Sequence, residues 1–496
     1  MSISLLLEMA SSANPDRTAL VAGETRLTTE ELSNLADGGA GVIAASGAKH
    51  VAYVGAGASM LPLLLFAAAR AGVPVTPLNY RLSAAGLAEL IERLPEPLVI
   101  VDPEYASAVS GMSSDDFVAA ARTNAPAEED AVFADPDSVA VVLFTSGTTS
   151  KPKAVELTHN NLTSYITGSV EFDSAEPGDA ALICVPPYHI AGVSAALSNL
   201  YAGRKMVYLP QFDAREWVRL VRDEGVSSAT VVPTMLDRII GVLEEAPTPL
   251  ASLRTLAYGG SKVALPLVRK ALSLLPGVGF VNAYGLTETS STIAVLTPDD
   301  HRDALASSDA AVARRLGSVG QPVPGVEVQI RAEDGTVLGA GETGELFVRG
   351  EQVSGRYTGI GSVLDAEGWF PTKDVAMLDD EGYLFIGGRS DDTIIRGGEN
   401  IAPAEIEDVL VEHPSVRDCA VVGVEDSEWG QIIVAVVVPS GTEPSPDELR
   451  EYVRGQLRGS RTPDRVVFRD ELPTNATGKV LRRDLVRDLT PSKEPA

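Results

Sequence analysis

Short apolar runs rich in Val, Ile and Tyr alternate with longer Ala- and Leu-rich stretches over the first part of the chain. HVAYVGAG, SMLPLLLFAAARAG and VPVTPLN succeed one another over 50–79, and RKMVYLP, EWVRLVRDEG and SSATVVPT over 204–234. Each triplet reads strand, helix, strand, the βαβ unit of a parallel sheet. An α/β fold is expected, with two such stretches, about 55–140 and 175–290, that share no legible repeat. After Gly317 the texture changes. GSVGQPVPGVEVQIRAEDGTVLGAGETGELFVRG is alternating strands cut by Gly, Pro and DG, which predicts a small β-barrel-like subdomain. From about Gly388 a third segment, including AEIEDVLVEHPSVRDCAVVGVEDSEWGQIIVAVVVP and DELREYVRGQLRG, reads helix, strand, strand, helix, an α+β module able to fold alone. The tail after Pro491 is polar, which predicts a mobile end.

At 496 residues and 45% apolar content the chain exceeds one ordinary core, so two or more domains are expected. Its 40 basic against 68 acidic side chains leave a formal charge of −28, without a Lys/Arg run long enough to make a basic patch. Such a surface repels nucleic acid and anionic lipid. Cys184 and Cys419 cannot build a disulfide framework and fit a reducing compartment, the cytoplasm. The opening MSISLLLEMASSANPDR lacks a basic lead and carries Glu8 in its apolar stretch, while the longest apolar run, Met60 to Ala69, contains Pro62 and stops at Arg70. Neither an export signal nor a membrane span is expected.

FTSGTTSKPKAV, residues 144–155, follows the apolar run Val139 to Leu143. A Gly-, Ser- and Thr-rich turn after a strand presents N–H groups and hydroxyls to an oxyanion, and a nearby lysine adds positive charge, so the loop reads as a phosphate cradle. An ordinary Ser/Thr-rich hairpin turn is the alternative. A Walker A loop is excluded: Gly147 has no second Gly five residues on, Pro152 follows Lys151, and no Ser or Thr follows Lys153. Taken alone, TET at 287–289 reads as a helix cap, Asp374 as a loop aspartate and Lys479 as a solvated charge.

Six further strings follow in order: PPYHIAG (186–192), YGGS (258–261), NAYGLTET (282–289), GWFPTKD (368–374), GRSDDTIIRGGENIAPAEIE (388–407) and PTNATGK (473–479). Together with the loop they resemble the adenylate-forming superfamily, which includes acyl-CoA synthetases, amino-acid adenylation domains and beetle luciferases. The resemblance spans nearly the whole chain and points to the acyl-CoA synthetase branch. It implies a large N-terminal domain, 1–388, that binds ATP and the acyl group, and a small mobile domain, 389–496, that carries a catalytic lysine. In the implied reaction a carboxylate attacks the α-phosphate of ATP, pyrophosphate leaves, and the thiol of coenzyme A then displaces AMP from the acyl-AMP. ATP, Mg2+ and coenzyme A are the implied cofactors.

The same resemblance assigns the nucleotide to Thr145, Ser146, Gly147, Thr148, Thr149 and Lys153, to Gly259, Gly260 and Ser261, to Asn282, Ala283, Tyr284 and Gly285, and to Asp374 and Arg389. Tyr284 is implied on one face of the adenine and Asn282 at its polar edge. Asp374 and Arg389 are implied at the ribose hydroxyls, where an ionised carboxylate accepts two hydrogen bonds. Thr287 is implied on a phosphate oxygen and Glu288 on Mg2+, an ion that takes one or two carboxylates and keeps several waters. Lys479 is implied to reach into the site and neutralise charge at the α-phosphate. Asp391 is the implied hinge, and Gly397 and Gly398 the implied lining of the pantetheine channel once the small domain has swung. Three positions depart from the pattern: Ser150 and Ala154 replace glycines, and Lys373 stands where Gly precedes the aspartate. If that backbone needs a positive φ, Lys373 is strained; if not, its ammonium can sit over the nucleotide.

His189, Ile190, Gly192, Tyr258 and Leu286 are implied to line the acyl pocket, with Ala191, Val232 and Pro233 nearby and His189 as an aromatic gate. Ile190 stands where amino-acid adenylation domains carry Asp, which speaks against an α-amino acid because a buried ammonium without a partner is costly. The small, mostly apolar set points to a fatty or bulky apolar acid, with an aryl or short acid as the alternative. A ligase that loads a carrier-protein thiol shares every nucleotide motif, but SGRYTGIGSVLDAEGWF is short where such relatives usually carry an insertion. A luciferase-like oxygenase and a nonenzymatic acyl or nucleotide sensor complete the alternatives.

Overall fold

The two βαβ stretches build two large sheets, and neither sheet is contiguous in sequence. The structure, a computed structural model, describes residues 1–57, 59–124, 134–145, 152–426, 428–457, 459–475 and 478–490; the tail after Pro491 lies outside them. One sheet has eight strands in the order Gly361–Ser362, Arg356–Tyr357, Lys153–Thr158, Val139–Thr145, Val75–Leu78, His50–Val54, Pro97–Val101, Met112–Ser113. His50–Val54 and Val75–Leu78 pair in parallel around the helix Met60–Arg70, as the pattern predicts. That helix is buried at every position, which suits a segment apolar on all sides. It shares one core with the helices Ser4–Ala13, Thr29–Ser46 and Ile190–Tyr201 and with strands of both sheets.

The second sheet has nine strands, in the order Gln321–Pro322, Ser291–Leu296, Gly279–Leu286, Thr255–Gly259, Ser228–Val231, Ala180–Ile183, Lys205–Tyr208, Thr18–Ala22, Thr25–Thr28. Lys205–Tyr208 and Ser228–Val231 are not neighbours, since Ala180–Ile183 pairs in parallel with both. Beyond Gly317 lies a four-stranded antiparallel sheet, Glu327–Arg331, Thr343–Arg349, Phe370–Leu378, Leu384–Arg389. It is open rather than closed by hydrogen bonds among the described residues, and it packs on Ile293 and Ala294 of the nine-stranded sheet.

The C-terminal segment realises helix, strand, strand, helix as Pro403–Leu410, Val416–Asp426, Gly430–Pro439 and Pro446–Gln456. A third strand, Arg465–Phe468, joins Gly430–Pro439 in parallel, and the helix Arg482–Leu489 follows. Its core around Ile406, Leu410, Val421, Val437 and Leu449 is its own. Two contacts bring it against the large domain: Lys262 pairs with Asp408 at 2.6 Å, and a Cβ at Gly478 would lie 2.8 Å from the Thr234 hydroxyl. No helix among the described residues is long and apolar enough to cross a membrane.

Candidate active site

Register brings together the residues expected at the nucleotide. Asp374 and Arg389 face each other across the antiparallel strands Phe370–Leu378 and Leu384–Arg389, and Arg389 Nη1 lies 3.3 Å from the Asp374 carboxylate. Tyr284, from Gly279–Leu286, donates its hydroxyl to the other Asp374 oxygen. Burial pushes the Asp374 carboxyl up from the usual range, while Tyr284, Arg389 and Lys479 pull it back. Burial, reinforced by Asp374, likewise holds the Tyr284 phenol well above its ordinary value. Asn282 Nδ2 donates to the Ser318 carbonyl at 3.2 Å. Gly259 pairs with Ala283 in a parallel ladder, and the Ala283 carbonyl occupies the space a Cβ would need, so no larger residue fits there. Gly260 then turns the chain with φ +83 toward Ser261.

Thr145 and Lys153 are register partners at the ends of the antiparallel strands Val139–Thr145 and Lys153–Thr158. The chain thus resumes after Thr145 as an antiparallel strand and not as a helix. Ser146, Gly147, Thr148, Thr149 and Ser150 lie outside the described residues. Thr287–Thr289 is a single 3-10 turn followed by the strand Ser291–Leu296, so TET does not cap a helix. Glu288, in that turn, accepts the Tyr357 hydroxyl at 2.9 Å, and Lys153 Nζ lies 5.3 Å from the centre of the Tyr357 ring. The described residues gather no group of three or more His, Cys, Asp or Glu into a ready cage. An ion at Glu288 would complete its shell with phosphate oxygens and water, which is the habit of Mg2+, so the donor set fits that ion.

Lys479 sits in a turn closed by the Asn475 N–H on the Lys479 carbonyl at 2.9 Å. It keeps an exposed flank. Burial of its ammonium and repulsion from Arg389 lower its pKa, while Asp374 and Asp392 oppose the shift. The lysine of the small domain is thus within electrostatic reach of the Asp374–Arg389 pair of the large one. Asp391 lies in the turn Ser390–Asp392, immediately after Arg389. Gly397 and Gly398 are not brought to this group: they form an exposed turn, with Gly397 N–H on the Trp429 carbonyl at 2.8 Å.

Of the residues expected at the acyl group, His189 and Ile190 open the helix Ile190–Tyr201, and a Cβ at Gly192 would lie 2.6 Å from the Pro186 carbonyl. Burial lowers His189 to about 4, so the ring is neutral at pH 7, and its Nε2 has no hydrogen-bond partner among the described residues. Leu286 pairs with Ser291, whose hydroxyl lies 3.2 Å from that of Ser194 on the helix. Tyr258 corrects the sequence expectation. It is 1% exposed, packs with Leu256 on the core face of its strand, and shares a 2.8 Å hydrogen bond with His301. Strand alternation leaves Ala257 and Gly259 on the opposite face.

The question left open at Lys373 is also answered: its φ is +65, and its ammonium pairs with Glu345 at 3.1 Å instead of covering the nucleotide. Lys373→Gly should raise unfolding stability by on the order of 1 kcal/mol, since a non-Gly residue at positive φ is strained and a half-exposed ion pair contributes little. A denaturant titration checks this; a lower midpoint would mean that the Glu345 pair outweighs the strain. Sequence reasoning missed Tyr357, whose aromatic in SGRYTG reads as ordinary core. It also missed Arg482, which holds Glu407 at 2.6 Å and Asp392 at 3.4 Å.

Two family models match the chain, AMP-binding enzyme over residues 7–358 and AMP-binding enzyme C-terminal domain over 405–479. The chain is 34% identical to a feruloyl-CoA synthase of an Amycolatopsis species, covering 96% of each protein. It is 32% identical to the fatty acid–[acyl-carrier-protein] ligase ScoC of Streptomyces coeruleorubidus, covering 95% of this chain and 93% of that one. Among solved structures it resembles the o-succinylbenzoate CoA synthetase MenE of Bacillus subtilis in complex with its acyl-adenylate, at TM-score 0.84 and 29% identity over 99% of this chain and 98% of that one. MenE has also been solved with ATP and a magnesium ion. With both family models matched and full-length relatives above the 30% level, the chain belongs to the AMP-binding enzymes of the adenylate-forming superfamily, as an AMP-forming acid–CoA ligase that uses ATP, Mg2+ and coenzyme A.

Proposed function

We propose that this enzyme joins a compact aromatic carboxylic acid to coenzyme A, running two half-reactions in one cleft by swinging the domain that begins at residue 389. The position of Lys479 carries this reading: a C-terminal lysine lies in the charge field of Asp374 and Arg389, while Gly397 of the same domain lies against Trp429 instead and Gly398 faces open space. In the first half-reaction a carboxylate oxygen of the acid attacks the α-phosphorus of ATP and the bond to pyrophosphate breaks. Lys479 offsets the charge on the α-phosphoryl oxygens, Asp374 accepts the ribose hydroxyls, and the Tyr284 ring packs on the base. Glu288 would hold Mg2+, which supplies neutralising charge to the phosphates when bound. In the second the coenzyme A sulfur attacks the acyl carbon and the carbon–oxygen bond to AMP breaks. That step needs Lys479 withdrawn and the Gly397–Gly398 turn brought to the nucleotide. Two buried free cysteines support work in a reducing cytoplasm.

The acid class rests on the seam between the helix Ile190–Tyr201 and the strand Ser291–Leu296. Leu286 pairs with Ser291 at this seam and Ile190 stands one helical turn before Ser194, so apolar side chains flank the Ser194–Ser291 hydroxyl pair, a polar spot for which a long alkyl chain has no use. The likeness to enzymes named for ferulate and o-succinylbenzoate supports an aromatic acid over the fatty acid that composition favours. The likeness to ScoC favours a second reading, transfer to a carrier-protein thiol. ATP–pyrophosphate exchange over a panel of acids, followed by thioester formation with coenzyme A or a phosphopantetheinylated carrier protein, tests both. Substituted aromatic acids should exceed α-amino acids by on the order of a hundredfold, because Ile190 offers an ammonium no partner. Preference for a long-chain fatty acid would overturn the acid class, and preference for the carrier protein would replace coenzyme A as acceptor.

A further inference from the structure

We propose that Tyr357 is the positioning residue of the triphosphate site: its hydroxyl orients the Glu288 carboxylate while its ring seats the Lys153 ammonium, so one side chain fixes both charges relative to each other. Tyr357 is 7% exposed and lies on the two-residue strand Arg356–Tyr357, where it pairs with Val155. Both flanks are anchored to the strand that Lys153 begins. Arg356 pairs with Glu156 at 2.9 Å, Thr358 donates its hydroxyl to Glu156 at 2.8 Å, and the Thr358 N–H donates to the Ala154 carbonyl at 2.9 Å. The Tyr357 hydroxyl reaches Glu288 Oε1 at 2.9 Å, and the Ser354 N–H holds the Glu288 carbonyl at 2.8 Å. Backbone and one carboxylate oxygen of Glu288 are thus set from the same short segment, 354–358. Among the described residues the second oxygen has no hydrogen-bond partner, which leaves its lone pairs for an ion. On the other side of the phenol, Lys153 Nζ lies 5.3 Å from the ring centre, inside cation–π range, which holds a long flexible side chain where a phosphate arrives. Pre-orientation of this kind removes ordering that binding would otherwise have to supply.

The inference rests on Glu288 as the metal carboxylate, and binding calorimetry separates the two ideas. Wild type, Tyr357→Phe, Tyr357→Leu, Glu288→Gln and the Tyr357→Phe/Glu288→Gln double variant are titrated with ATP plus Mg2+, with ATP in EDTA, and with AMP. Thermal melts confirm that each variant is folded. Tyr357→Phe keeps the ring and should weaken Mg2+-dependent ATP binding about tenfold, the worth of a hydrogen bond to a charged group, leaving AMP and metal-free ATP unchanged. Tyr357→Leu removes the seat of Lys153 and should also weaken metal-free ATP, by roughly threefold or more. In the Glu288→Gln background Tyr357→Phe should add no further loss, because residues that act through one another are not additive. Wild-type Mg2+–ATP affinity in Tyr357→Phe, or an equal loss for AMP, would overturn the role of Tyr357. Wild-type affinity in Glu288→Gln would remove the metal assignment beneath it, and the proposal with it.

Discussion

Lys479→Ala should slow acyl-adenylate formation by on the order of a thousandfold while a supplied acyl-adenylate is still converted to thioester at a near-normal rate. Removing one preorganised positive group from a site where charge develops has effects of this size, and under the proposed swing the group in question contacts the reaction in only one domain arrangement. In this structure the Lys479 ammonium feels Arg389 and Asp374, the pair proposed to hold the ribose. The pH profile adds a second signature. Burial and Arg389 lower the Lys479 pKa, so its charge is present at low pH and lost as pH rises through a value below that of a free lysine. Adenylation should therefore carry an alkaline limb in that range, and the thioester half-reaction, with Lys479 withdrawn, should lack a limb from this residue. Single-turnover rates for each half-reaction, measured from wild type and variant across pH, decide the matter. Equal losses in both halves would mean that Lys479 stabilises the protein or serves one fixed site throughout.

What could be read from the chain was local. Asp374 and Lys479 taken alone read as a loop aspartate and a solvated charge; the ordered set of short motifs, each a few neighbouring residues long, is what allowed Tyr284, Asp374 and Lys479 to be named as expected site residues through the family resemblance. The βαβ unit around Met60–Arg70 was equally legible, because both of its strands and its helix announce themselves by composition and are neighbours in the sheet. Pairings across long separations left no trace in the pattern. Ala180–Ile183 inserts between two strands that look consecutive, and Thr18–Ala22 crosses to the edge of Lys205–Tyr208. Tyr258 was misassigned because YGGS marks a strand end without saying which face each side chain takes; alternation puts the tyrosine in the core and Gly259 on the other face. Tyr357 was missed for the opposite reason. Its position depends on a two-residue strand that, besides the adjacent Gly361–Ser362, pairs with Lys153–Thr158 far earlier in the chain, a separation no motif spans.

Asp391→Pro should give the reverse of Lys479→Ala: adenylation within a few-fold of wild type and thioester formation reduced by tenfold or more. The residues around Asp391 concentrate rotation there. Arg389 on one side is held by Asp374 and the Thr372 carbonyl, and Asp392 on the other is held by Arg482, which is itself bound to Glu407 and the Val421 carbonyl within the small domain. The backbone between these two anchors is the 3-10 turn Ser390–Asp392. Proline fixes φ near −65°, a value that turn already uses, so the present arrangement survives while rotation about that bond is lost. The strain falls on Ser390, which the following ring disfavours in a helical conformation, and should lower stability by on the order of 1–2 kcal/mol. A melt of the variant separates that effect from the kinetic one, and Asp391→Ala, which removes the side chain but keeps the rotation, should leave both half-reactions near wild type. Opening this turn also requires the Lys262–Asp408 pair to part, but both partners are about half exposed, so the pair itself offers little resistance. If Asp391→Pro forms thioester from acyl-adenylate as fast as wild type, the swing does not pivot at this residue, and the rotation must be sought elsewhere between Arg389 and Ile394.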